Sequence, residues 1–566
     1  MSLPRRCSRY SAALPASLLA ALVLATYLTT APESAVLLRG GPGTSRSFLP
    51  TSTTASAGRV DDFDVSALLP QGYDALHATL ELPSADAASW LPYDAARMAF
   101  LMDFRRWLAS YEALARPARL LVDSATDLEI PLMAPAYMCA CAFDGTARCD
   151  YHVMTMTEGG FTAALLSQVV EHLYDPLLAF HVVRSHLTTG GYLILSMPTF
   201  NKPHMEPSHY QHFTLRGLAL SLRRVGFEVV EAGFFGCRAW MEAVFLHGIW
   251  PPYPICAPPQ VNGDSPAQMW LLARRIELPG EAALPAGAPS SGHNFSCSLQ
   301  RRPLYTLAEA AAAHALINPK NPAHSYTDDA VAVAALQKAV PQIGAVDAAV
   351  AAVALAAAGL LAELAQNRQA VARIVMDAEH HAVTAAVLRA VASGATVELW
   401  HTRRHTSAKL PSQLCDSGGE PAAALASGWS AAATAVRTIE VHIIGPALHF
   451  TIDVHTLLLA AVHEARAAAA SRGRGAVFML SCRVLDVLQG LTDDALWFCT
   501  PQGLVVYAQR AGLRVVRGSW WGTEAYARDL IRNKRQQIFA EALADETAGT
   551  STDTWVAAAT AWLVAE

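Results

Sequence analysis

This sequence has few charged residues and few cysteines, and it has no excess of basic over acidic residues. Of its 566 residues, 16% are charged, below the about 25% typical of soluble domains, while 52% are hydrophobic. Apolar residues occur throughout the chain, including its polar tracts, which excludes wholesale disorder. A net charge of −6 lacks the basic footprint of a nucleic-acid-binding protein, so no nucleic-acid partner is predicted. Ten cysteines are too few for a disulfide-scaffold protein.

The first 32 residues contain no acidic residue and have the pattern of a targeting segment. Arg5, Arg6 and Arg9 precede an apolar run of 17 residues, Ala12–Leu28, at the short end of the about 17–25 that span a bilayer. A basic region before an apolar core is typical of a secretory signal peptide or signal-anchor. An organelle transit peptide is the alternative, because the segment is also rich in Ser, Ala and Arg. We predict a location in the secretory lumen or a single N-terminal membrane anchor.

Shifts in composition divide the chain into seven segments. They are a signal peptide or anchor (1–32), a linker (33–60), a first α/β domain (61–277), a second linker (278–303), an Ala-rich helical segment (304–365), a second α/β domain (366–530) and a C-terminal helical segment (531–566). Within the Ala-rich segment, the apolar stretch Ala348–Leu361 is shorter than a membrane span and is predicted to be a buried helix.

A long repeat links the two α/β segments. His212–Trp240 aligns with Phe498–Tyr526 at a constant lag of 286 residues, and nine of the 29 positions are identical. Each copy predicts a threonine-capped helix, a glycine at its end and a following strand. Such a lag indicates two similar domains rather than a solenoid, whose period is about 20–50 residues. Chance similarity between two generic strand–helix–strand units is the alternative.

The segment Leu165–Pro176, with its Val-Val-Glu-His-Leu-Tyr-Asp-Pro run, resembles the fourth-strand region of class I S-adenosylmethionine-dependent methyltransferases of the type 11 group. The resemblance continues, in the family's order, through the turn Gly190-Gly191, the strand end Ser196–Pro198, the helix opening His212–Leu218 and the strand Gly226–Val230. It implies an α/β fold of two tandem Rossmann-like domains, the second eroded. It also implies S-adenosylmethionine as cofactor and methyl transfer to a small-molecule or glycan acceptor, and Ala267–Arg275 as the last, antiparallel strand of the first sheet.

The resemblance places a site at the carboxyl edge of the first sheet, where such folds bind their cofactor. It implies cofactor-binding roles for Asp123, Asp144, Gln168 and Glu171, and base candidates at His172, His209 and His212. Structural alternatives stay open for several of these residues. Glu171 and His172 would then only orient a loop, and Asp144 would lie in a solvated turn.

The chain also departs from the family pattern. The family carries glycines directly after the first strand, but Leu120–Leu128 contains none. Only 13 residues separate Asp123 from Tyr137, which leaves little room for a helix between the first two strands. The second copy lacks the glycines as well, at Met376–His381. A catalytically inactive methyltransferase-like protein, serving as a binding or scaffolding module, is therefore the alternative function.

No metal site is predicted. Cys139, Cys141 and Cys149 lack the paired spacing of structural zinc sites, so we interpret them as small buried hydrophobic residues. Zinc is an alternative for the histidines at 204, 209 and 212, but their position favours a loop that contacts substrate.

Overall fold

The computed structural model describes two sheets and the helices that pack on them. The described residues are 64–70, 95–124, 127–140, 150–153, 160–199, 201, 208–251, 256, 267–278, 311–312, 315, 333–334, 337–338, 347–366, 369–376, 383–385, 387–388, 396–401, 438–445, 453–484, 496–533, 541–542, 544 and 560–566. The predicted targeting segment and both predicted linkers lie outside these residues, apart from residue 278.

The first half builds a six-stranded sheet with the strand order β2-β1-β3-β4-β7-β6. Its strands are β1 (Arg119–Val122), β2 (Tyr137–Ala140), β3 (Phe161–Ser167), β4 (Leu187–Pro198), β6 (Phe227–Phe235) and β7 (Gln268–Arg275), and a short strand β5 (Gln211–Phe213) lies outside the sheet. Strands β1 to β4 run parallel, whereas β7 lies antiparallel between β4 and β6. The predicted antiparallel last strand is thereby confirmed.

Besides a single helical turn at Glu112–Ala115, four longer helices accompany these strands: α1 (Ala95–Ser110), α2 (Pro176–His186), α3 (Leu215–Arg224) and α4 (Arg238–His247). Asp175 caps α2 by accepting a hydrogen bond from the Leu178 amide. Thr214 caps α3 in the same way, as the sequence predicts. Between β1 and β2 the described chain forms only a short 3-10 turn, Ile130–Leu132. The predicted lack of room for a full helix is confirmed, because Pro131 and Pro135 interrupt the connection.

The second half builds another six-stranded sheet, with the order β9-β8-β10-β11-β14-β13. Its strands are β8 (Gln369–Met376), β9 (Thr396–His401), β10 (Thr438–Ile444), β11 (Gly475–Arg483), β13 (Val515–Trp521) and β14 (Thr560–Ala565), with β12 (Trp497–Cys499) outside the sheet. Its helices are α5 (Ala348–Ala365), α6 (Val454–Ser471), α7 (Pro501–Arg510) and α8 (Glu524–Asn533). Adding seven to each strand number of the first sheet reproduces the second, and β14, like β7, is the antiparallel strand between its two neighbours.

Two predicted boundaries in the second half differ from the structure. The segment 531–566, predicted as helical, ends in strand β14, which pairs with both β11 and β13. Its apolar run Ala561–Ala565 is only five residues long, too short for periodicity to separate strand from helix. Helix α5 was assigned to a separate Ala-rich segment. It packs against β8 and β14 of the second sheet and is therefore part of the second half's fold.

Helix α5 confirms the predicted buried helix. It is long and apolar enough to cross a membrane, yet 78% of it is buried inside the protein, where it covers the second sheet.

Strands β5 and β12 pair with each other and join the two halves as an antiparallel ribbon, with Phe213 opposite Trp497. Just beyond the ribbon, α3 and α7 each begin against the other half. A Cβ on Gly217 would overlap the carbonyl of Leu496, and a Cβ on Gly503 would overlap the carbonyl of Tyr210. Leu496 and Tyr210, like the two glycines, are themselves 286 residues apart. The contact is therefore reciprocal, as in an interface with twofold symmetry.

Disulfides correct one interpretation of the cysteines. Cys237 is bonded to Cys256, and Cys482 at the end of β11 is bonded to Cys499 of the ribbon. Cys139 is also disulfide-bonded, so its interpretation as a small buried hydrophobic residue is wrong. Spacing along the chain does not reveal which thiols the fold brings within bonding distance. Cys141 and Cys149 lie outside the described residues.

Candidate site at the carboxyl edge of the first sheet

The order of the first sheet reverses between β1 and β3. From β1 the chain continues to β2 on one side, and from β3 it continues to β4 on the other. Open α/β sheets bind ligands in the crevice at such a switch point, outside the carboxyl ends of the strands. Asp123 directly follows β1 and Gln168 directly follows β3, so two of the four predicted cofactor-binding residues flank this crevice.

Gln168 has an unusual backbone conformation. Its φ is 58°, the one positive φ outside glycine among the described residues. Its amide donates to the Ser196 carbonyl at 2.7 Å, and its Nε2 donates to the Ser196 hydroxyl at 3.2 Å. A left-handed glutamine is strained, and such strain persists where the surrounding structure holds it, most often at functional sites.

A buried polar network that the sequence analysis missed lies beside the crevice. The Glu129 carboxylate is fully buried, accepts from the Ser167 hydroxyl at 2.8 Å and forms an ion pair with Arg97 at 2.9 Å. Ser167 and Ser196 hydrogen-bond to each other at 2.8 Å. The available signal was a third acid, Glu129, six residues after Asp123 in the segment where the family carries glycine.

Burial perturbs the carboxyl groups around the crevice. It raises the pKa of Asp127 to about 6, together with the charge of Glu129. It raises the pKa of Glu171 to about 8, and the charge of Asp123 adds to that rise. The Arg97 guanidinium lowers both values, but not enough to offset burial. Carboxyl groups whose pKa values are raised in this way are common at sites that move protons.

Glu171 and His172 lie together on a 3-10 turn, Val170–His172, that follows β3. Both side chains are fully buried, and His172 Nε2 lies 3.8 Å from Glu171 Oε1. His172 Nδ1 lies 2.8 Å from the Ser208 carbonyl oxygen. Because a carbonyl only accepts, Nδ1 carries a proton. In a neutral imidazole, Nε2 is then the proton acceptor, and it faces Glu171.

His209 and His212 join this cluster from the strand β5 side. The ring centroids of His172 and His209 are 5.4 Å apart, and those of His209 and His212 are 4.8 Å apart. The structure differs from the predicted substrate-contacting loop, because both rings are buried where the halves meet. His212 lies opposite Phe498 in the ribbon, and the Thr500 hydroxyl donates to the His209 carbonyl at 2.6 Å. Burial by the second half is a long-range effect that a local pattern does not predict.

Two predicted residues lie outside the described part of the chain, Asp144 and His204. Among the residues that the structure describes, no group of three or more His, Cys, Asp or Glu side chains is arranged to hold a metal ion.

No protein-family model and no curated protein matches the chain. Among solved structures, it is similar to an S-adenosylmethionine-dependent methyltransferase from Mesorhizobium loti (14% identity, 30% of this chain and 96% of that one, TM-score 0.22). It is also similar to the N-methyltransferase NodS from Bradyrhizobium japonicum WM9 in complex with S-adenosyl-L-homocysteine (12% identity, 36% and 98%, TM-score 0.24). A third structure is the cyclase SpnF (16% identity, 31% and 81%, TM-score 0.22).

Proposed function

We propose that the first half is a methyltransferase domain that uses S-adenosylmethionine and acts on a small-molecule or glycan acceptor. One observation carries the proposal: the switch point of an open α/β sheet is flanked by Asp123 and by the strained Gln168. The Val-Val-Glu-His-Leu-Tyr-Asp-Pro resemblance falls on the same edge, because it contains the turn that carries Glu171 and His172.

Four acids lie at this edge, Asp123, Asp127, Glu129 and Glu171, and the Arg97 charge acts on three of them. Glu129 is paired with Arg97 and burial keeps Glu171 mostly protonated, which leaves Asp123 as the acid that we assign to a cationic ligand. S-adenosylmethionine carries a sulfonium and an ammonium group, so a carboxylate at this edge attracts it. We assign Asp123 and Gln168 to its polar groups. After β1, where the family carries glycines, the Asp127 amide donates to the Ser124 carbonyl at 3.3 Å.

The chain's contribution to catalysis would be alignment and proton transfer. When bound, S-adenosylmethionine supplies a methyl group on a positively charged sulfur. Burial raises the pKa of Glu171 to about 8, so this carboxyl is mostly protonated at neutral pH and does not itself accept a proton. A neutral imidazole beside it can take the proton that an acceptor hydroxyl or amine releases on methylation. We propose His172 as this base, with His209 and His212 packed against it.

We further propose that the second half is a duplicated and eroded copy of the first. Its strand order repeats that of the first sheet, and the reciprocal contacts of Gly217 and Gly503 follow the sequence lag of 286 residues. Helices α4 and α8, which also start 286 residues apart, pack on each other, with Arg532 3.2 Å from Glu242.

We propose a location in the secretory lumen, either soluble or held by an N-terminal anchor. The disulfides Cys237–Cys256 and Cys482–Cys499 support an oxidising compartment, because cytosolic proteins rarely keep such bonds. The basic and apolar pattern of residues 1–32 supports the same route.

Titration calorimetry of the full chain with S-adenosylmethionine tests the proposal. We expect saturable heat, and a dissociation constant raised about tenfold or more by Asp123→Asn, because a charge-assisted hydrogen bond is lost. Glu228→Gln is the matched control, since this acid pairs with Arg274 on exposed strand positions. Equal weakening by both variants would contradict the assignment of Asp123.

The second candidate function is that of an inactive, methyltransferase-like binding module. The buried carboxylate of Glu129 favours it. This side chain lies beside the crevice and is hydrogen-bonded to Ser167, which in turn bonds Ser196, so the protein's own groups satisfy polar atoms at the strand ends. Absence of both heat and thermal shift at millimolar S-adenosylmethionine would support this second function and overturn the first.

A further inference from the structure

The turn that carries Glu171 and His172 is held by a side chain of strand β5. Gln211 Nε2 donates to the Val170 carbonyl at 3.0 Å and to the Leu173 carbonyl at 2.6 Å. Both N–H groups of this amide therefore donate hydrogen bonds, one to each end of the turn. Neither a carboxylate nor an apolar side chain of the same size donates in this way, so the hold depends on the amide.

Gln211 is itself oriented by the second half. The Tyr507 hydroxyl on helix α7 donates to Gln211 Oε1, which fixes which end of the amide faces the turn. Gln211 is fully buried and Tyr507 nearly so, so water does not compete for these groups.

A second contact reaches the same turn through the backbone. The Thr500 amide donates to the Tyr210 carbonyl at 2.9 Å, and the Tyr210 amide donates to the Glu171 carbonyl at 2.9 Å. Thr500 also caps helix α7, so this contact and Tyr507 start from one rigid element.

We propose that Tyr507 and Gln211 are positioning residues: the second half orients the Glu171–His172 turn of the first half's site through the hydrogen bonds of Tyr507 to Gln211 and of Gln211 to the turn. The inference deepens the proposed function and rests on it for its catalytic meaning. The second half is thereby a structural part of the first half's site, whether or not it binds a ligand of its own.

Chemical labelling of histidines tests the positioning in the intact chain, without any methyl donor. Diethyl pyrocarbonate modifies neutral imidazoles that the structure exposes by local opening, and peptide mass spectrometry gives the rate at each histidine. In Tyr507→Phe we expect labelling of His172 to speed up about fivefold or more, since the lost hydrogen bond leaves Gln211 Oε1 buried without its donor. His442, buried on β10 of the second half, should keep its rate.

Tyr526→Phe is the matched control, because Tyr526 is a buried tyrosine of the same half that packs edge-on against Trp521. It should leave the His172 rate unchanged. In a Gln211→Leu background the addition of Tyr507→Phe should have no further effect, since Tyr507 acts through Gln211.

Three results would overturn the inference. They are an unchanged His172 rate in Tyr507→Phe, an equal rise at His442 that signals general loosening, and full additivity of the two substitutions. Calorimetry with S-adenosylmethionine is a separate arm. A chain that binds no S-adenosylmethionine refutes the proposed function but leaves the labelling result to decide the positioning.

Discussion

The two halves bury a glutamate beside a parallel sheet in opposite ways. In the first half, Glu171 lies at the carboxyl edge, and burial raises its pKa to about 8 despite the charge of Arg97. In the second half, Glu440 lies near the amino end of β10 and bonds several arginines. They are Arg373 at 2.9 Å, Arg472 at 2.7 Å and Arg474 at 3.0 Å.

The two glutamates therefore differ in charge at neutral pH: Glu440 is ionised, and Glu171 is mostly protonated and neutral. Burial alone would raise the pKa of Glu440, but hydrogen bonds from Arg472 and the charge of Arg373 lower it to about 2. Glu440 is therefore a structural anion, whereas Glu171 is kept close to neutral and ready to exchange a proton. A perturbed acid without full compensation is the pattern of a functional group, and a fully bonded one is the pattern of a structural salt bridge.

The largest expected loss of stability comes from substitutions in the reciprocal contact between the two halves. Gly217→Ala and Gly503→Ala each force a Cβ into a backbone carbonyl of the other half, and we expect each to lower the free energy of unfolding by more than about 3 kcal/mol. Thermal unfolding measures the loss. Gly359→Ala on helix α5 is the control: a Cβ there meets no atom within 4 Å, so a slight gain is expected. A small effect at Gly217 would contradict the close contact.

A smaller loss is expected for Glu440→Gln, about 3 kcal/mol at pH 7, because the buried Arg373 loses its counter-ion. The folded pKa of Glu440 lies below its ordinary value of 4.5. Its contribution is therefore complete above pH 4.5 and is lost as the pH falls towards 2. The wild type and the variant should converge in melting temperature on acidification. A constant gap down to pH 3 would contradict the assigned charge.

Glu171→Gln should show the reverse pH dependence, with an effect that approaches zero at low pH. The folded pKa of about 8 lies above the ordinary 4.5, so wild-type stability falls as the pH rises through that window. A neutral glutamine avoids this cost, and we expect a gain of about 4 kcal/mol or less at pH 8 that vanishes near pH 4.5. Melting temperatures across this range measure it, with Glu228→Gln as the exposed control. Stabilisation that does not vary with pH would contradict the raised pKa.

The sequence predicts the local parts of this comparison better than the long-range ones. The helix caps Thr214 and Thr500 and the buried helix α5 follow from patterns within a few residues, and the structure confirms them. Strand β14 and the buried setting of His209 were missed, because both depend on pairing with distant strands. The resemblance places Gln168 at the carboxyl edge of the first sheet, and the structure has this residue directly after β3.

The ribbon of β5 and β12 has a consequence for synthesis of the chain. A nascent chain presents Gln211–Phe213 long before its pairing partner, Trp497–Cys499, leaves the ribosome. During that interval the edge of β5 offers unpaired amides and carbonyls to any other extended peptide. The pairing of β5 therefore waits for translation of the second half. A truncated product that ends before residue 497 keeps β5 as an unpaired strand edge, which favours aggregation.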